Sequence, residues 1–392
     1  MTSTLPVLAI DVDAILTPFE RFAPGRIIIR DGRIEAAGLA YDVRVPAGAQ
    51  HLNETGSVLA PGFIDSHIHG SAGVDVMDAT HDALDTISRH LASHGTTAFL
   101  PTTVSSPLDV FGKIIEQLGV LLDRTYSGAQ PLGLHLEGPF ISPVKCGVHR
   151  TDCIQKPDVR LLDEWIRLSG SRIRLLTLAP ELPDVVSLLA SARRAGVCLA
   201  MGHSTASYEE SAAAVENGIV YAVHVFNAMR ELNHREPGIV GAVLSDDRVF
   251  AEVIADGVHV HPRVVQILSR AKPRERVLLI TDAISAAGMA DGQYRLGRDS
   301  VQVSGGVCRD LNGRLAGSTL SQDVALQNFV NWTGAGLQDC LFALTSNPAD
   351  VLQLEGRGRI EAGCWADLVL LNKNLQVVKT FVAGKLVFER QN

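Results

Sequence analysis

The sequence lacks the features that mark membrane, secreted and nucleic-acid-binding proteins. No apolar run reaches the roughly 18 residues of a membrane-spanning helix. No positively charged N-terminal stretch precedes a long apolar core, as it does in a signal peptide. Acidic residues outnumber basic ones, giving a formal net charge of −8, whereas non-specific binding to nucleic acid needs a basic surface. We therefore expect no membrane partner and no nucleic-acid partner.

Paired cysteines are also absent. The chain has six cysteines, and none of them forms a C-x-x-C motif. Thiols that are scattered through a large chain in this way are typical of proteins that stay reduced. The pattern therefore predicts a cytoplasmic protein. The six residues are Cys146, Cys153, Cys198, Cys308, Cys340 and Cys364.

Both ends of the 392-residue chain are rich in predicted strands. Residues 25–38, GRIIIRDGRIEAAG, have two apolar runs on either side of Asp31 and Gly32, a strong signal for a β-hairpin. Near the C-terminus, ADLVLLN and LQVVKTFVAGKLVFE repeat this pattern, with a turn predicted at Gly384. We expect the two ends to pair into one small β domain.

The middle of the chain alternates between apolar, β-branched runs and segments with helical periodicity. Residues 80–95 predict a helix that ends at Gly95, and residues 106–124 predict one that begins with Ser106 as its cap and Pro107 as its first residue. The polar interval 227–249 is predicted to be a functional loop. Eight strands are predicted, at residues 58–65, 97–102, 132–137, 173–179, 197–202, 220–226, 250–255 and 277–282.

Eight strands that alternate with helices favour an α/β fold of the (β/α)8 TIM-barrel type. A doubly wound open sheet is the alternative, but no G-x-G-x-x-G motif follows the first strand. We expect residues 1–57 and 355–392 to form a small discontinuous β-sandwich domain built from both termini. Residues 58–354 would form the barrel.

Polar side chains of the kinds that bind metals follow five of these strands. Barrel enzymes carry their chemistry at the C-terminal ends of the strands. In PGFIDSHIHG, two histidines stand one residue apart, so alternate positions of a strand would point both rings to the same face. Histidine and carboxylate ligands suit zinc or a similar divalent ion. The residues are His67, His69, Glu137, His203, His224 and Asp282.

The competing interpretation is that these residues are ordinary structural groups and that the strand ends have been placed to suit them. Strand boundaries inferred from sequence are uncertain by a few residues. Five ligand-type side chains and an aspartate at the same ends of five strands are hard to explain by packing alone. We therefore favour a metal site at the mouth of the barrel.

The ordered motifs resemble those of a known family. PGFIDSHIHG is similar to the first-strand signature of the amidohydrolase superfamily. HLEGPF, GHS, HVFNAM, REPG, ADGVH, TDA and LAGSTL, between residues 61 and 320, resemble its N-acetylglucosamine-6-phosphate deacetylases. The terminal regions fit the family's small β domain, so the resemblance covers nearly the whole chain.

The resemblance implies a metal-dependent hydrolysis of an acetamide, with an amino-sugar phosphate as substrate. N-acetyl-D-glucosamine 6-phosphate would give acetate and D-glucosamine 6-phosphate, in amino-sugar catabolism and cell-wall sugar recycling. Glu137, His203 and His224 would hold the main ion. Asp282 would act as general base and then general acid, and His149 would lie near the scissile carbonyl.

The resemblance also implies how the phosphate is bound. Asn227, Ala228 and His259 match substrate-recognition positions of the family, as does Arg235. In the family this arginine reaches into the site of the neighbouring subunit, so a homodimer is implied. The residues alone leave open that Arg235 is a solvated loop cation.

The metal count stays open. Some members of the family replace the H-x-H pair with amide side chains and use one metal, whereas here both histidines are present. A second ion could be held by His67 and His69 with Asp282, giving one or two divalent ions per subunit. Zinc is the expected ion, with iron or another divalent ion as alternatives. Cys146, in the loop that should close over the sugar, is left out of the catalytic set.

Two other functions compete with this one. One is a cyclic-amide hydrolase or nucleobase deaminase of the same superfamily. Cyclic-amide hydrolases often have a carboxylated lysine at the end of the fourth strand, and they are disfavoured because that strand, IRLLTLAP, has no lysine. A non-catalytic scaffold of the same fold is expected to have lost ligands or the aspartate, and this chain keeps them.

Overall fold

The computed structural model describes residues 7–391 and contains a large α/β barrel beside a sheet built from both ends of the chain. Its strands are β1 (Leu8–Leu16), β2 (Arg21–Phe22), β3 (Gly25–Arg30), β4 (Arg33–Leu39), β5 (Gln50–Pro61), β6 (Phe63–Ile68), β7 (Gly70–Ser71), β8 (Val74–Asp75), β9 (Thr96–Thr103), β10 (Gln130–Pro131), β11 (Leu134–Glu137), β12 (Ile173–Leu178), β13 (Cys198–Met201), β14 (Tyr221–Ala222), β15 (Phe250–Ile254), β16 (Val277–Ile280), β17 (Gly292–Leu296), β18 (Asp299–Ser304), β19 (Val307–Asp310), β20 (Leu368–Leu371), β21 (Val377–Val382) and β22 (Lys385–Glu389).

The helices pack mainly around the barrel, with apolar faces turned towards its strands. They are α1 (His81–Ser93), α2 (Leu108–Leu121), α3 (Val159–Leu168), α4 (Val185–Arg194), α5 (Tyr208–Glu216), α6 (Gly238–Ser245), α7 (Pro262–Ala271), α8 (Gln322–Thr333), α9 (Leu337–Leu341) and α10 (Ser346–Val351). Short 3-10 turns occupy residues 76–78, 143–145, 151–153, 274–276 and 342–344.

The terminal sheet joins strands from both ends of the chain in the order β22-β21-β20-β5-β1-β3-β4, with β2 on β1. Asp31 and Gly32 turn between β3 and β4 with φ of 51° and 78°, the left-handed conformation of a tight hairpin turn. Ala383 and Gly384 form the corresponding turn between β21 and β22. The sheet has an apolar core of its own, to which Ile10, Ile27, Leu59, Leu368 and Phe381 contribute.

Eight parallel strands form the barrel, in the order β6-β9-β11-β12-β13-β14-β15-β16, and β10 adds to β9. The seam between the last strand and the first closes through loop hydrogen bonds. Asp282 N–H donates to the His67 carbonyl at 2.9 Å, and His69 N–H donates to the Ala283 carbonyl at 2.8 Å. The Thr281 hydroxyl donates to buried Asp65 at 2.7 Å. The predicted fold class is confirmed.

The first predicted strand, 58–65, is wrong in one respect. Residues up to Pro61 belong to β5 in the terminal sheet, and the barrel strand β6 begins at Phe63. Gly62 separates them, and a Cβ at that position would lie 2.2 Å from the Thr97 side chain. Both strands are apolar, so hydrophobic periodicity could not show where the chain leaves the terminal sheet and enters the barrel. His67 therefore lies inside β6 rather than at its end. The predicted domain limits at 57/58 and 354/355 stay predictions.

The helix ends show one success and one error of the capping rules. Gly95 follows the cap residue of α1 with φ of 83°, as predicted. Ser106 and Pro107, however, are not cap and first residue, because α2 begins at Leu108 and Pro107 occupies the cap position without a side-chain hydrogen bond.

One feature of the fold was not predicted: the antiparallel sheet β17-β18-β19, inserted after the last barrel strand.

Two further observations concern the expected environment of the protein. Within residues 7–391, no helix is long and apolar enough to cross a membrane. All six cysteines are free thiols.

The glycine after α1 provides a test of the packing between barrel and terminal sheet. A Cβ at Gly95 would lie 2.8 Å from Phe63 of β6 and 2.9 Å from Val369 of β20, whereas Gly196, which follows α4 in the same way with φ of 72°, has open space around it. Both alanine variants carry the cost of a left-handed residue. We expect Gly95→Ala to lower the free energy of unfolding by about 1–3 kcal/mol more than Gly196→Ala, from overpacking. Equal losses in denaturant unfolding would contradict this.

Candidate active site

The structure brings the six predicted ligand residues together at the C-terminal mouth of the barrel. His67 lies in β6, His69 follows it, and Glu137 is the last residue of β11. His203, His224 and Asp282 each come two residues after the end of β13, β14 and β16. The five histidine and glutamate side chains among them are buried, at 0–6% of side-chain exposure, and Asp282 is 13% exposed.

Glu137 lies at the centre of this group. Its Oε1 atom is 2.9 Å from His224 Nε2, 3.1 Å from His203 Nε2 and 3.3 Å from His67 Nε2. Its Oε2 atom is 3.3 Å from His69 Nε2 and 3.1 Å from His149 Nε2. One carboxylate therefore bridges five ring nitrogens that arrive from four separate segments of the chain.

Asp282 completes the group on the side of the first barrel strand. Its Oδ1 atom is 3.1 Å from His69 Nε2 and 3.7 Å from His67 Nε2. Burial alone would raise the pKa of Asp282, but the neighbouring His67 and His69 rings lower it to about 2. The side chain is therefore a carboxylate at neutral pH, with one oxygen facing the cluster.

The backbone is strained where three of these residues stand. His203, His224 and Asp282 have φ of 47°, 27° and 49°, values that residues other than glycine rarely adopt. Each of them lies just beyond the end of its strand, where the hydrogen bonds to the neighbouring strands have stopped. The left-handed turn redirects the chain at the strand end, so the side chain points into the barrel mouth.

Contacts at the Nδ1 atoms, on the side of each ring away from Glu137, orient three of the histidines. His67 Nδ1 lies 3.1 Å from the Glu252 carboxylate, His69 Nδ1 lies 3.1 Å from the Thr102 carbonyl, and His203 Nδ1 lies 2.9 Å from the Lys145 carbonyl. These oxygens can only accept, so each Nδ1 carries a proton. In the neutral form of the ring, which is the form that binds a metal, each Nε2 then presents a lone pair. Lone pairs that converge on a carboxylate form the donor set of a metal site.

The charges fit a cation as well. Burial lowers the pKa of His69, but its hydrogen bonds to Asp282 and Glu137 raise it to about 9. His203 Nε2 and His224 Nε2 lie only 3.1 Å apart, beside the Glu137 carboxylate. The two carboxylates attract positive charge to this point, and a divalent ion would supply it.

His149 has a different chemical role from the other rings. Its Nδ1 accepts the Ser105 backbone N–H at 3.1 Å, so its proton must reside on Nε2. Burial lowers the pKa of His149, which keeps the ring neutral at pH 7. A neutral ring with a proton on Nε2 donates a hydrogen bond towards the cluster and does not bind a metal through that atom.

A cavity of about 300 Å³ opens above the cluster. Asn227, Ala228 and His259 line it together with His149. Burial lowers the pKa of His259, but its 2.6 Å contact with Asp256 outweighs this and raises the pKa above its ordinary value. The His259 ring thus lines the same cavity as the ligand group.

Arg235 is the one predicted substrate-binding residue that does not line this cavity. It lies in the exposed loop 231–236 that follows β14, and its backbone N–H donates to Asn233 at 3.0 Å. The cavity is lined by two other cations of the same chain, Lys145 and Arg314. Arg314 pairs with Asp310 of the inserted sheet at 2.7 Å.

Sequence reasoning missed the residues that support the ligands. Glu252 lies within β15, fully buried, and contacts His67. His135, buried below the cluster, has its Nε2 2.7 Å from the Thr177 hydroxyl. Glu252 left a signal: an acidic residue inside the apolar run FAEVIA needs a partner in the core. His135 stands beside Glu137 in LHLE and could have been read in the same way.

Comparison with known proteins identifies the family. The sequence profile of the amidohydrolase family matches residues 58–387. An N-acetylgalactosamine-6-phosphate deacetylase from Escherichia coli O157:H7 is 39% identical over 330 residues, covering 84% of this chain and 87% of the relative. An N-acetylglucosamine-6-phosphate deacetylase from Lysinibacillus sphaericus is 37% identical over 364 residues, covering 93% of each.

A solved structure agrees over the whole fold. N-acetyl-D-glucosamine-6-phosphate deacetylase from Mycobacterium smegmatis, a mutant solved in complex with N-acetyl-D-glucosamine-6-phosphate, superposes with a TM-score of 0.92 at 32% identity. The match covers 98% of this chain and all of that one. The resemblance inferred from the motifs is therefore confirmed, and the chain belongs to the amidohydrolase family, in the group that contains the N-acetylglucosamine-6-phosphate deacetylases.

Proposed function

We propose that this enzyme hydrolyses the acetamide of N-acetyl-D-glucosamine 6-phosphate, giving D-glucosamine 6-phosphate and acetate. The observation that carries the proposal is the convergence of imidazole Nε2 atoms and two carboxylates at the barrel mouth, with Glu137 2.9–3.3 Å from five rings. Amino-sugar catabolism and cell-wall sugar recycling are the processes that such a reaction serves.

Glu137, His203 and His224 would hold the main divalent ion, and His67 and His69 with Asp282 would hold a second. The ligand atoms of His67, His69 and Asp282 all lie within 4.8 Å of one another, while Glu137 shares one such group with His224 and another with His203. Such an ion, when bound, polarises a carbonyl oxygen and lowers the pKa of water towards neutrality. Zinc suits the nitrogen and oxygen ligands best, and iron has the same preference for imidazole.

Asp282 would move the proton. Its carboxylate faces the cluster and is ionised at neutral pH, so it can accept a proton from the attacking water. It would then deliver this proton to the amide nitrogen, because an amine leaves easily only once it is protonated. One group at the strand end thus serves as base and then as acid.

His149 would bind the carbonyl oxygen. Its Nε2–H points to the cluster, and its Nδ1 is fixed by Ser105. A neutral donor held in this direction can stabilise the negative charge that develops on the oxygen, at little cost in reorganisation.

Asn227, Ala228 and His259 would bind the sugar phosphate. They line the cavity, and the Asn227 amide and the His259 ring can donate hydrogen bonds to a phosphate. In a homodimer, Arg235 would donate two parallel hydrogen bonds to the phosphate of the substrate bound in the neighbouring subunit. Its exposed loop position supports a role outside its own cavity. The cytoplasm is the proposed location, on the strength of the six free thiols.

A second substrate is favoured by one observation. The relative at 39% identity is named for N-acetylgalactosamine 6-phosphate, which differs from the first candidate only in the configuration of one hydroxyl. The same metal, base and donor would serve both substrates. The sugar pocket alone has to distinguish them.

The proposed reaction is tested by acetate release from both sugar phosphates. We expect N-acetylglucosamine 6-phosphate to be the better substrate, with activity lost after removal of metal by a chelator and restored by zinc. Metal dependence is expected because neutral water is a poor nucleophile without the ion. Preference for the galactosamine compound would move the assignment to the second substrate, and no release from either would contradict both.

Asp282→Asn tests the proton carrier. The amide keeps the shape and removes the basic oxygen, so we expect turnover to fall by at least about a hundredfold, the usual scale for general acid–base catalysis. Asp291→Asn, an exposed carboxylate further along the same loop, is the matched control and should keep parental turnover. Metal content is measured in both variants. Parental turnover of Asp282→Asn across neutral pH would exclude Asp282 as the base.

Arg235→Ala tests the phosphate contact. Loss of a charge-assisted hydrogen bond is worth about 1.5–3 kcal/mol, so we expect KM for the 6-phosphate substrate to rise about tenfold to a hundredfold, with little effect on free N-acetylglucosamine. The control is Arg124→Ala, an exposed arginine after α2, at the other end of the barrel.

Mixing Arg235→Ala with Asp282→Asn tests whether the arginine is shared between subunits. If Arg235 serves the partner's site, hybrid dimers contain one site with both defects and one with neither, and activity reappears when subunits exchange. Exchange without recovery of activity would show that Arg235 acts within its own subunit.

A further inference from the structure

Glu252 is a buried acid that the proposed reaction does not use. It lies in β15, on the inner side of the barrel below the ligand cluster, and is 0% exposed. The Tyr221 hydroxyl donates to its Oε1 at 2.6 Å. Its Oε2 accepts the His224 backbone N–H at 3.0 Å and lies 3.1 Å from His67 Nδ1. A charge this deeply buried is stable only with such donors.

The contact with His67 determines which nitrogen of that ring carries the proton. The Glu252 carboxylate accepts from Tyr221 and from the His224 backbone, so His67 Nδ1 must be a donor. His67 Nε2 is then left with its lone pair, directed at the cluster, where it lies 3.3 Å from Glu137 and from His69. A carboxylate behind an imidazole also makes the ring a stronger base than a carbonyl does.

The same oxygen supports a second ligand. His224 has φ of 27°, an unfavourable value that needs support from its surroundings. Its backbone N–H is held by Glu252 Oε2, the atom that also accepts from His67. One carboxylate oxygen therefore fixes a ligand on the first barrel strand and another after the sixth, and these belong to the two different ion positions of the proposed centre.

We infer that Glu252 is a positioning residue for the metal centre: it sets the tautomer of His67 and the backbone turn of His224, and so couples the two ion positions. This inference rests on the proposed metal-dependent function. It concerns ion binding rather than the identity of the sugar, so it can be tested without a substrate.

Glu252→Gln is the decisive variant, because it keeps the shape and removes the charge. The amide oxygen can still accept from His67 and His224, while the amide nitrogen can donate to Tyr221. Second contacts of this kind are worth about a tenfold to a hundredfold in metal affinity. We expect zinc at the weaker position to bind about tenfold to a hundredfold less tightly, with one ion fewer per subunit after dialysis against buffered zinc.

Tyr221→Phe is the matched control. It removes the other hydrogen bond of Glu252 and leaves the contacts to His67 and His224 in place. We expect its zinc content to equal that of the parent even if its thermal stability falls. Equal zinc content and affinity in Glu252→Gln and the parent would overturn the inference, and so would a loss of zinc in Tyr221→Phe as large as that in Glu252→Gln.

A measurement on the parent protein covers the case in which Glu252→Gln fails to fold. In zinc-loaded protein with ¹⁵N-labelled histidine, long-range ¹H–¹⁵N correlation identifies the protonated nitrogen of each ring. We expect the His67 proton on Nδ1, and a proton on Nε2 would overturn the inference. If zinc binding responds as expected but no sugar phosphate is hydrolysed, the proposed function fails and the role of Glu252 stands.

Discussion

A carboxylate buried among imidazole nitrogens is the constraint on which the rest of this structure depends. Glu137 is 3% exposed, and its two oxygens contact the Nε2 atoms of five histidines. A charge buried this deeply is tolerated only when it is paired or binds a cation. Each segment that reaches the barrel mouth must therefore place its ligand side chains with a defined atom in a defined direction. The strained turns at His203, His224 and Asp282 are how three of them do so.

The same residues close the barrel and form part of the site. The seam between β16 and β6 is closed at the mouth by hydrogen bonds from Asp282 N–H to the His67 carbonyl and from His69 N–H to the Ala283 carbonyl. These are the residues whose side chains meet in the cluster. The distance between Asp282 and the histidine pair is thus set by the backbone seam. A change that loosens the seam would change the geometry of the site before it unfolded the barrel.

The sequence predicted what is local and missed what depends on distant contacts. Buried strands appear in the sequence as short apolar runs, and the polar residues that follow them stand out. The eight barrel strands therefore lie within a few residues of their predicted positions, with the ligand residues at or near their ends. The break at Gly62 was invisible because both sides of it are apolar. The task of Glu252 depends on partners 185 and 28 positions away. Arg235, predicted from a motif, does not line its own cavity, and its proposed task depends on a second subunit.

The number of buried carboxylates bears on the number of ions. Glu137, Asp282 and Glu252 carry three formal negative charges within one network of contacts through His67. Asp65, which holds Thr281 nearby, is different, because burial raises its pKa to about 7 and its charge is partly removed. Imidazoles that bind a metal are neutral, so one divalent ion would leave this network negative. A second divalent ion at His67 and His69 would offset the remaining charge. An amide in place of His67 would remove one ligand of that second ion and leave Glu252 no ring to orient, so His67 and the acid in β15 form one electrostatic unit.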